Sequence, residues 1–276
     1  MSGMPRNAAM PLLALLVACG TTATPSPRIT ASPSSVPVAS LSVPVAERLV
    51  PLDVDLRAPQ PAMSPRYPAA VVGDPCVDRD LPAPTATDIA LTVLDRTYAL
   101  APEYAPPDLV PASRAGFTGD SADKLVRAVV IDDLARMREA WEAAGLIIEI
   151  ESAHRDYASQ AATFNSWVAR LGYAAGLVRS ARAGHSEHQL GTALDLTSEG
   201  WSGRLGDWAA ESPEGAWMAE HGWEHGFVMS YPADSTAGTC FGYEPWHYRW
   251  IGRDRAAEHR ASGLDLREFL ERYITG

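Results

Sequence analysis

The sequence predicts an α+β fold, with a small and mostly antiparallel sheet flanked by helices. Three observations lead to this class. Apolar residues recur at steps of three and four within residues 121–144, which is the period of an amphipathic helix. The segment LIIEIES (146–152) is short and rich in isoleucine, as expected of a buried strand. Later helical and extended segments alternate without a strict strand–helix–strand rhythm, which favours an antiparallel sheet.

The elements of the compact domain, residues 86–276, are expected in a definite order. The apolar face of the long helix is formed by Val126, Val130, Leu134, Met137 and Trp141. We expect strands at 89–94, 146–152, 192–197, 227–232 and 244–252, and helices at 121–144, 157–171, 214–225 and from 254 onwards.

The first residues have the features of an export signal. A short basic region ends at Arg6, and the apolar run over residues 8–18 is too short for a permanent membrane span. It leads into Leu-Val-Ala-Cys (16–19), which resembles a bacterial lipobox. Residues 1–18 are therefore predicted to be a lipoprotein signal peptide and Cys19 to carry the lipid, with an ordinary secretory signal as the alternative. The protein would be extracytoplasmic and anchored to the cell membrane.

Two segments of biased composition follow the signal. Residues 19–45 are rich in Thr, Ser, Pro and Ala, which predicts a disordered tether, and residues 46–85 form a proline-rich arm with no expected fold of its own. Outside the cytoplasm, the two remaining cysteines, Cys76 and Cys240, are expected to form a disulfide. The net charge of −11 argues against nucleic acid as a partner.

The stretch GHSEHQLGTALDL (184–196) and the later EPWH (244–247) contain candidate metal ligands. His188, Asp195 and His247 would provide two imidazoles and one carboxylate, a set that suits Zn²⁺ and leaves a fourth position for water. Glu244, three residues before His247, would be the general base. On spacing alone, these residues could also be ordinary polar residues of the surface.

Two other histidine patterns compete with this site. His185 lies three residues before His188 and could reach the same metal, although a loop position is the simpler interpretation. His221 to His225 (HGWEH) matches the H-x-x-E-H pattern of inverzincins. Gly222 lies inside that pattern and Gly226 ends it, so we expect an ordinary helix end there.

The motif S-x-H-x-x-G-x-A-x-D at 186–195, together with EPWH at 244–247, resembles the signature of the VanY-type D-alanyl-D-alanine carboxypeptidases, which belong to the LAS group of zinc peptidases (M15). SAHRDYASQ (152–160) resembles the S-G-Y-R-S-x-x-x-Q segment of that family, and YAPPDLV (104–110) resembles its entry strand. The similarity extends over roughly residues 87–255.

The resemblance implies a role for each matching residue. His188, Asp195 and His247 would bind one zinc ion per chain, and Glu244 would be the base. Arg155 would stabilise the oxyanion formed at the scissile carbonyl. The remaining implied substrate-binding residues are Gln160, Ser186 and Trp246. Without the resemblance, Arg155 and Gln160 would be interpreted as surface residues.

The implied function is removal of the terminal D-Ala from peptidoglycan stem peptides ending in D-Ala-D-Ala, by a monomer. D-Ala-D-Ala dipeptidase, LD-carboxypeptidase and L-Ala-D-Glu endopeptidase activities are alternatives, as is a non-catalytic lipoprotein that binds the cell wall. The chain has His154 and Asp156 where the family often has Tyr and Ser. Asp156 is expected to cap a helix. Trp246, Tyr248 and Trp201 are candidate groove walls, with core packing preferred for each.

Overall fold

Four strands form the main sheet of the protein. A computed structural model describes residues 76–275, except residue 235. The strands are β1 (Leu81–Pro82), β2 (Tyr98–Ala99), β3 (Leu109–Pro111), β4 (Leu125–Arg127), β5 (Ile148–Ser152), β6 (Ala193–Ser198), β7 (Phe227–Met229) and β8 (His247–Trp250). The main sheet has the order β5-β6-β8-β7, and all of its neighbouring strands are antiparallel. The predicted α+β class is confirmed.

The helices contribute Leu134, Met137, Trp141, Trp208 and Met218 to the hydrophobic core that also contains residues of this sheet. They are α1 (Ile131–Ala143), α2 (Tyr157–Leu171), α3 (Tyr173–Arg179), α4 (Trp208–Glu211), α5 (Pro213–His221), α6 (Thr236–Thr239), α7 (Arg253–Ser262) and α8 (Leu266–Glu271). In the described part of the chain, none of the helices is both long and apolar enough to cross a membrane.

The prediction of a strand at IALTVL (89–94) is wrong. Residues Ile89–Leu91 form a 3₁₀ turn, and the carboxylate of Asp88 accepts a hydrogen bond from Ala90 N at its start. The carbonyls of Ala90 and Thr92 accept hydrogen bonds of 2.7 Å from the guanidinium of Arg249. These carbonyls therefore accept hydrogen bonds from a buried charged side chain instead of from a neighbouring strand.

The predicted helix over 121–144 is too long at its N-terminal end. Leu125–Arg127 is strand β4, which pairs with β3, and helix α1 begins only at Ile131. Val126 and Val130 are nevertheless fully buried, in the same core as Leu134. An extended segment and a helix thus contribute to one apolar face, and this continuity produced the apparent helical period.

The other predicted elements are found with shifted ends. Helix α2 has the predicted bounds, and Asp156 is its N-cap, accepting a 2.7 Å hydrogen bond from Ser159 N. The predicted helix 214–225 continues as a 3₁₀ turn from Gly222 to His225. The strands predicted at 227–232 and 244–252 are shorter, because the chain around them forms the turns of the site described below.

The disulfide partners lie at the edge of this fold. Cys76 and Cys240 are bonded, with their Cα atoms 5.3 Å apart. The bond attaches the C-terminal end of the proline-rich arm to the loop that carries Phe241. Residues 1–75, which contain the predicted signal, the tether and most of the arm, lie outside the described residues.

Candidate active site

The register of the main sheet brings Asp195 and His247 together. They are directly paired across β6 and β8, and Ser152 of β5 pairs with Asp195 on its other side. Opposed residues of an antiparallel pair have Cβ atoms about 5 Å apart and point to the same face. The side chains therefore meet, and His247 Nδ1 lies 3.0 Å from Asp195 Oδ1.

His188 reaches the same point from a short 3₁₀ helix, Glu187–Leu190. Ser186 caps this helix. The Nε2 atom of His188 lies 3.1 Å from Asp195 Oδ2. Gly191 ends the helix with a φ of +72°, and a Cβ there would lie 3.0 Å from the side chains of Arg127 and Leu109. A glycine is therefore required for the turn from this helix into β6.

The three side chains form a group that fits a metal ion. Their ligand atoms all lie within 4.8 Å of one another. His188 Nδ1 donates to the carbonyl of Ala153 at 2.6 Å, and His247 Nε2 donates to the carboxylate of Glu187 at 2.9 Å. These partners leave His188 Nε2 and His247 Nδ1 as the free ring nitrogens, both facing Asp195. Two imidazole nitrogens and a carboxylate are a typical donor set for catalytic zinc.

The charges around this group also favour a cation. Burial by itself would lower the pKa of His247, but the hydrogen bonds to Asp195 and Glu187 raise it to about 10. The pKa of Asp195 is lowered despite its burial, because His188 and His247 stabilise the carboxylate. The carboxylates thus hold a positive charge at the centre of the site, a position that a divalent ion can take.

Glu187 is a site residue that the sequence reasoning missed. It is 4% exposed and accepts hydrogen bonds from Arg249 Nη1 at 2.7 Å and Ser230 Oγ at 2.6 Å, besides that from His247. Burial opposes its ionisation, but Arg249 and His247 lower the pKa of Glu187 to about 2. Glu187 is a charged residue between two polar neighbours, so no apolar periodicity in the sequence indicates that it is buried. Its adjacency to His188 is the one signal that could have indicated this role.

Glu244 and Arg155 line a cavity of about 470 Å³ that also contains the three candidate ligands. Glu244 lies in the turn that enters β8, where Glu244 N donates to Tyr231 O and His247 N donates to Glu244 O. Burial raises the pKa of Glu244 to about 7.

Arg155 follows β5, and its Nη2 lies 4.0 Å from Asp195 Oδ2. Its buried Nε has no partner among the residues that the structure describes.

The three predicted substrate-binding residues line the same cavity. Gln160, in the first turn of α2, uses its amide nitrogen to donate to Ala181 O at 2.6 Å, whereas its buried Oε1 has no partner among the described residues. Ser186 caps the helix of His188. Trp246 is 9% exposed and is both a cavity wall and part of the hydrophobic core.

The other cavity walls differ from the candidates named from the sequence. Tyr248 is 1% exposed and belongs to the core, and Trp201 packs at the core's edge without lining this cavity. The sequence offered no signal for the true walls, which come from loops and from one face of α2. Besides Trp246, the aromatic walls are Trp167, Tyr231 and Phe241.

The competing histidine patterns have structural roles. His185 is buried, with Nδ1 2.6 Å from Asp95 O and Nε2 3.0 Å from Asp80 Oδ1. His221 and His225 both lie against the ring of Trp217. Over the described range, only His188, Asp195 and His247 form a group able to hold a metal. His154 is half-buried, outside the cavity lining, and burial lowers its pKa.

Comparison with known proteins places this geometry in a family. Residues 123–253 match the family model VanY, described as D-alanyl-D-alanine carboxypeptidase. The chain is also 30% identical over 183 residues to YodJ of Bacillus subtilis (strain 168), a presumed carboxypeptidase. The aligned residues cover 66% of this chain and 67% of YodJ. This chain belongs to the VanY family.

Solved structures of similar proteins include members with different stated activities. The structure of the LdcB LD-carboxypeptidase is 29% identical, with a TM-score of 0.58, over 66% of this chain and 85% of LdcB. A variant of the vancomycin-resistance D,D-pentapeptidase VanY, in complex with Zn(II), is 25% identical, with a TM-score of 0.56, over 66% of this chain and 99% of the other. The VanY-family fold therefore accommodates both DD- and LD-carboxypeptidases.

Proposed function

We propose that this chain is a zinc-dependent DD-carboxypeptidase that removes the terminal D-Ala from peptidoglycan stem peptides. The observation that carries the proposal is the convergence of His188, Asp195 and His247 with Glu244 and Arg155 in one cavity. Membership of the VanY family and the likeness to a zinc-containing D,D-pentapeptidase support it. The described residues contain one such ligand group, which supports a single zinc ion per chain, and we propose that the enzyme acts as a monomer.

The residues present would divide the chemistry between them. His188 Nε2, Asp195 and His247 Nδ1 would hold the zinc ion, which when bound would polarise the scissile carbonyl and acidify a water molecule. Glu244, with a pKa of about 7, would accept a proton from the attacking water and donate it to the departing amine. Arg155 would direct its unpaired Nε–H at the oxyanion, and the buried Oε1 of Gln160 would accept a substrate N–H.

The direct test is incubation of the purified protein with a UDP-muramyl pentapeptide, with and without a chelator. We expect free D-Ala to be released, and release to stop with the chelator and resume after addition of Zn²⁺. Release of D-Ala-D-Ala would instead indicate a dipeptidase. No cleavage in the presence of zinc would contradict the proposed function.

The likeness to LdcB favours LD-carboxypeptidase as the second candidate. A tetrapeptide with one terminal D-Ala distinguishes the two activities, because a DD-enzyme requires a D-residue on both sides of the scissile bond. We expect a higher kcat/KM for the pentapeptide. The opposite preference would assign the LD activity.

We also propose that lipidation of Cys19 anchors the enzyme to the outer face of the bacterial membrane. The motif Leu-Val-Ala-Cys and the Pro/Ser/Thr-rich residues 19–45 support this proposal. We expect Cys19→Ala to shift the protein from the membrane to the soluble fraction, whereas the neighbouring Thr21→Ala should leave it in the membrane. Unchanged fractionation of the Cys19 variant would refute the lipid anchor.

A further inference from the structure

Arg179 is a cavity residue to which the proposed chemistry assigns no role. It is the last residue of α3, and its exposed side chain lines the cavity that contains Glu244 and the candidate ligands. Its guanidinium carbon lies 5.4 Å from the ring centre of Trp167 and 6.0 Å from that of Trp246. Two indole rings thus hold a positive charge at the solvent-facing side of the cavity.

This guanidinium is available to an anion. Arg204, which lines the same cavity, is instead occupied by an acidic side chain, since its Nε lies 2.8 Å from Asp207 Oδ2. Among the residues that the structure describes, none forms an ion pair or a side-chain hydrogen bond with Arg179, whose guanidinium lies against the two tryptophan rings. Its planar set of N–H donors matches the two oxygens of a carboxylate.

The position of Arg179 also separates it from the oxyanion role. Arg155 lies beside Asp195, close to the candidate metal ligands. Arg179 and Arg155 both line the cavity that contains Glu244, so each can contact a substrate bound there. Three arginines thus line the cavity: Arg155 beside the metal group, Arg179 on the aromatic wall, and Arg204, whose guanidinium pairs with Asp207.

We propose that Arg179 is a specificity-determining residue that binds a carboxylate of the peptide substrate. The inference rests on the proposed function and deepens it, because it assigns a residue that selects peptide substrates by one of their carboxylates. That carboxylate is either the C-terminal one or that of an upstream D-glutamate. The shared chemistry is a bidentate, charge-assisted pair with the guanidinium.

The test compares Arg179→Gln with Arg170→Gln on two substrates. Arg170 is the matched control, because its guanidinium lies 4.1 Å from the ring centre of the same Trp167 but does not line the cavity. Diacetyl-L-Lys-D-Ala-D-Ala has only the terminal carboxylate, whereas the pentapeptide L-Ala-γ-D-Glu-L-Lys-D-Ala-D-Ala, without the UDP-muramyl group, also has that of D-glutamate. We expect Arg179→Gln to raise KM about ten-fold, with a much smaller change in kcat, and Arg170→Gln to change neither.

The pattern of KM values identifies the carboxylate. A rise for both substrates assigns Arg179 to the C-terminal carboxylate, and a rise for the pentapeptide alone assigns it to the upstream one. KM values within about two-fold of the wild type for both substrates would overturn the proposal.

A binding measurement separates this proposal from the proposed function. The Kd of the pentapeptide is measured by calorimetry for Glu244→Gln protein with and without Arg179→Gln. If the wild type releases no D-Ala, the proposed function fails, while a weaker Kd of the double variant still supports the role of Arg179. An unchanged Kd would contradict that role independently of turnover.

Discussion

Replacing Glu244 by glutamine is expected to lower kcat for D-Ala release by about 10²–10⁴-fold, the usual contribution of general acid–base catalysis. Glutamine has nearly the same shape but cannot accept and return a proton. Glu244 is not one of the three grouped ligands, so the variant should retain its zinc. The measurements are kcat on the pentapeptide and the zinc content of the purified protein.

The matched control for this variant is Glu151→Gln. Glu151 is an exposed glutamate of β5 that does not line the cavity, so its replacement should leave both kcat and zinc content unchanged. A Glu244→Gln enzyme that keeps more than about a tenth of the wild-type kcat would remove Glu244 from the role of base.

The wild-type pH profile provides a second readout of the same residue. A general base works only when it is deprotonated, so the rate should fall as the pH decreases through the pKa of Glu244. Burial raises this pKa to about 7 in the protein alone, and the charge of a bound ion would favour the carboxylate and lower it. The acid limb of kcat/KM should therefore lie below about pH 7, and a limb above that value would contradict the assignment.

The second large effect is expected at Glu187, through zinc affinity and stability. Glu187→Gln should weaken zinc binding by about 10–100-fold, the usual cost of losing the partner that orients a ligating histidine. The carboxylate accepts from His247 Nε2 and thereby keeps Nδ1 free and facing Asp195. Competition with a chelating indicator measures the affinity without any need for turnover.

Glu187→Ala should also destabilise the fold by about 3–5 kcal/mol, because it leaves a buried arginine without its partner. Arg249 is 0% exposed, and Glu187 is its only carboxylate partner among the described residues. Denaturant unfolding at pH 7, where Glu187 is ionised, measures this loss.

Asp133→Asn is the control for the Glu187 variants. Asp133 is another buried carboxylate, which accepts from Trp250 Nε1 and pairs with Arg136, but it does not line the cavity. Its replacement should lower stability without changing zinc affinity. Zinc affinity of Glu187→Gln within about two-fold of the wild type would show that Glu187 has only a structural role.

The sequence predicted the family and its candidate ligands because these depend on short local patterns. His188, Gly191 and Asp195 lie within eight residues, and their spacing corresponds to one 3₁₀ turn followed by the start of β6. The EPWH motif supplied His247 and Glu244 by the same local rule. The roles of these residues in catalysis stay predictions for the experiments above.

The errors arose where one local pattern fits two structures. A helical stripe from Val126 to Trp141 is buried as expected, but its first part is a strand and a 3₁₀ turn that pack against the same core. IALTVL has the composition of a strand, yet its carbonyls bond to Arg249, which lies more than 150 residues later in the chain. No local pattern records such a partner.

By itself, the sequence determined the α+β class, the VanY signature and the residues able to bind a metal, since residue type and near spacing are local properties. Only the tertiary structure decided which atoms face one another. The antiparallel register of β6 and β8 brings Asp195 to His247, and Glu187 selects the free nitrogen of that histidine. The walls of the cavity and the position of Arg179 likewise depend on contacts between α2, α3 and distant loops, which form only when long-range burial brings those segments together.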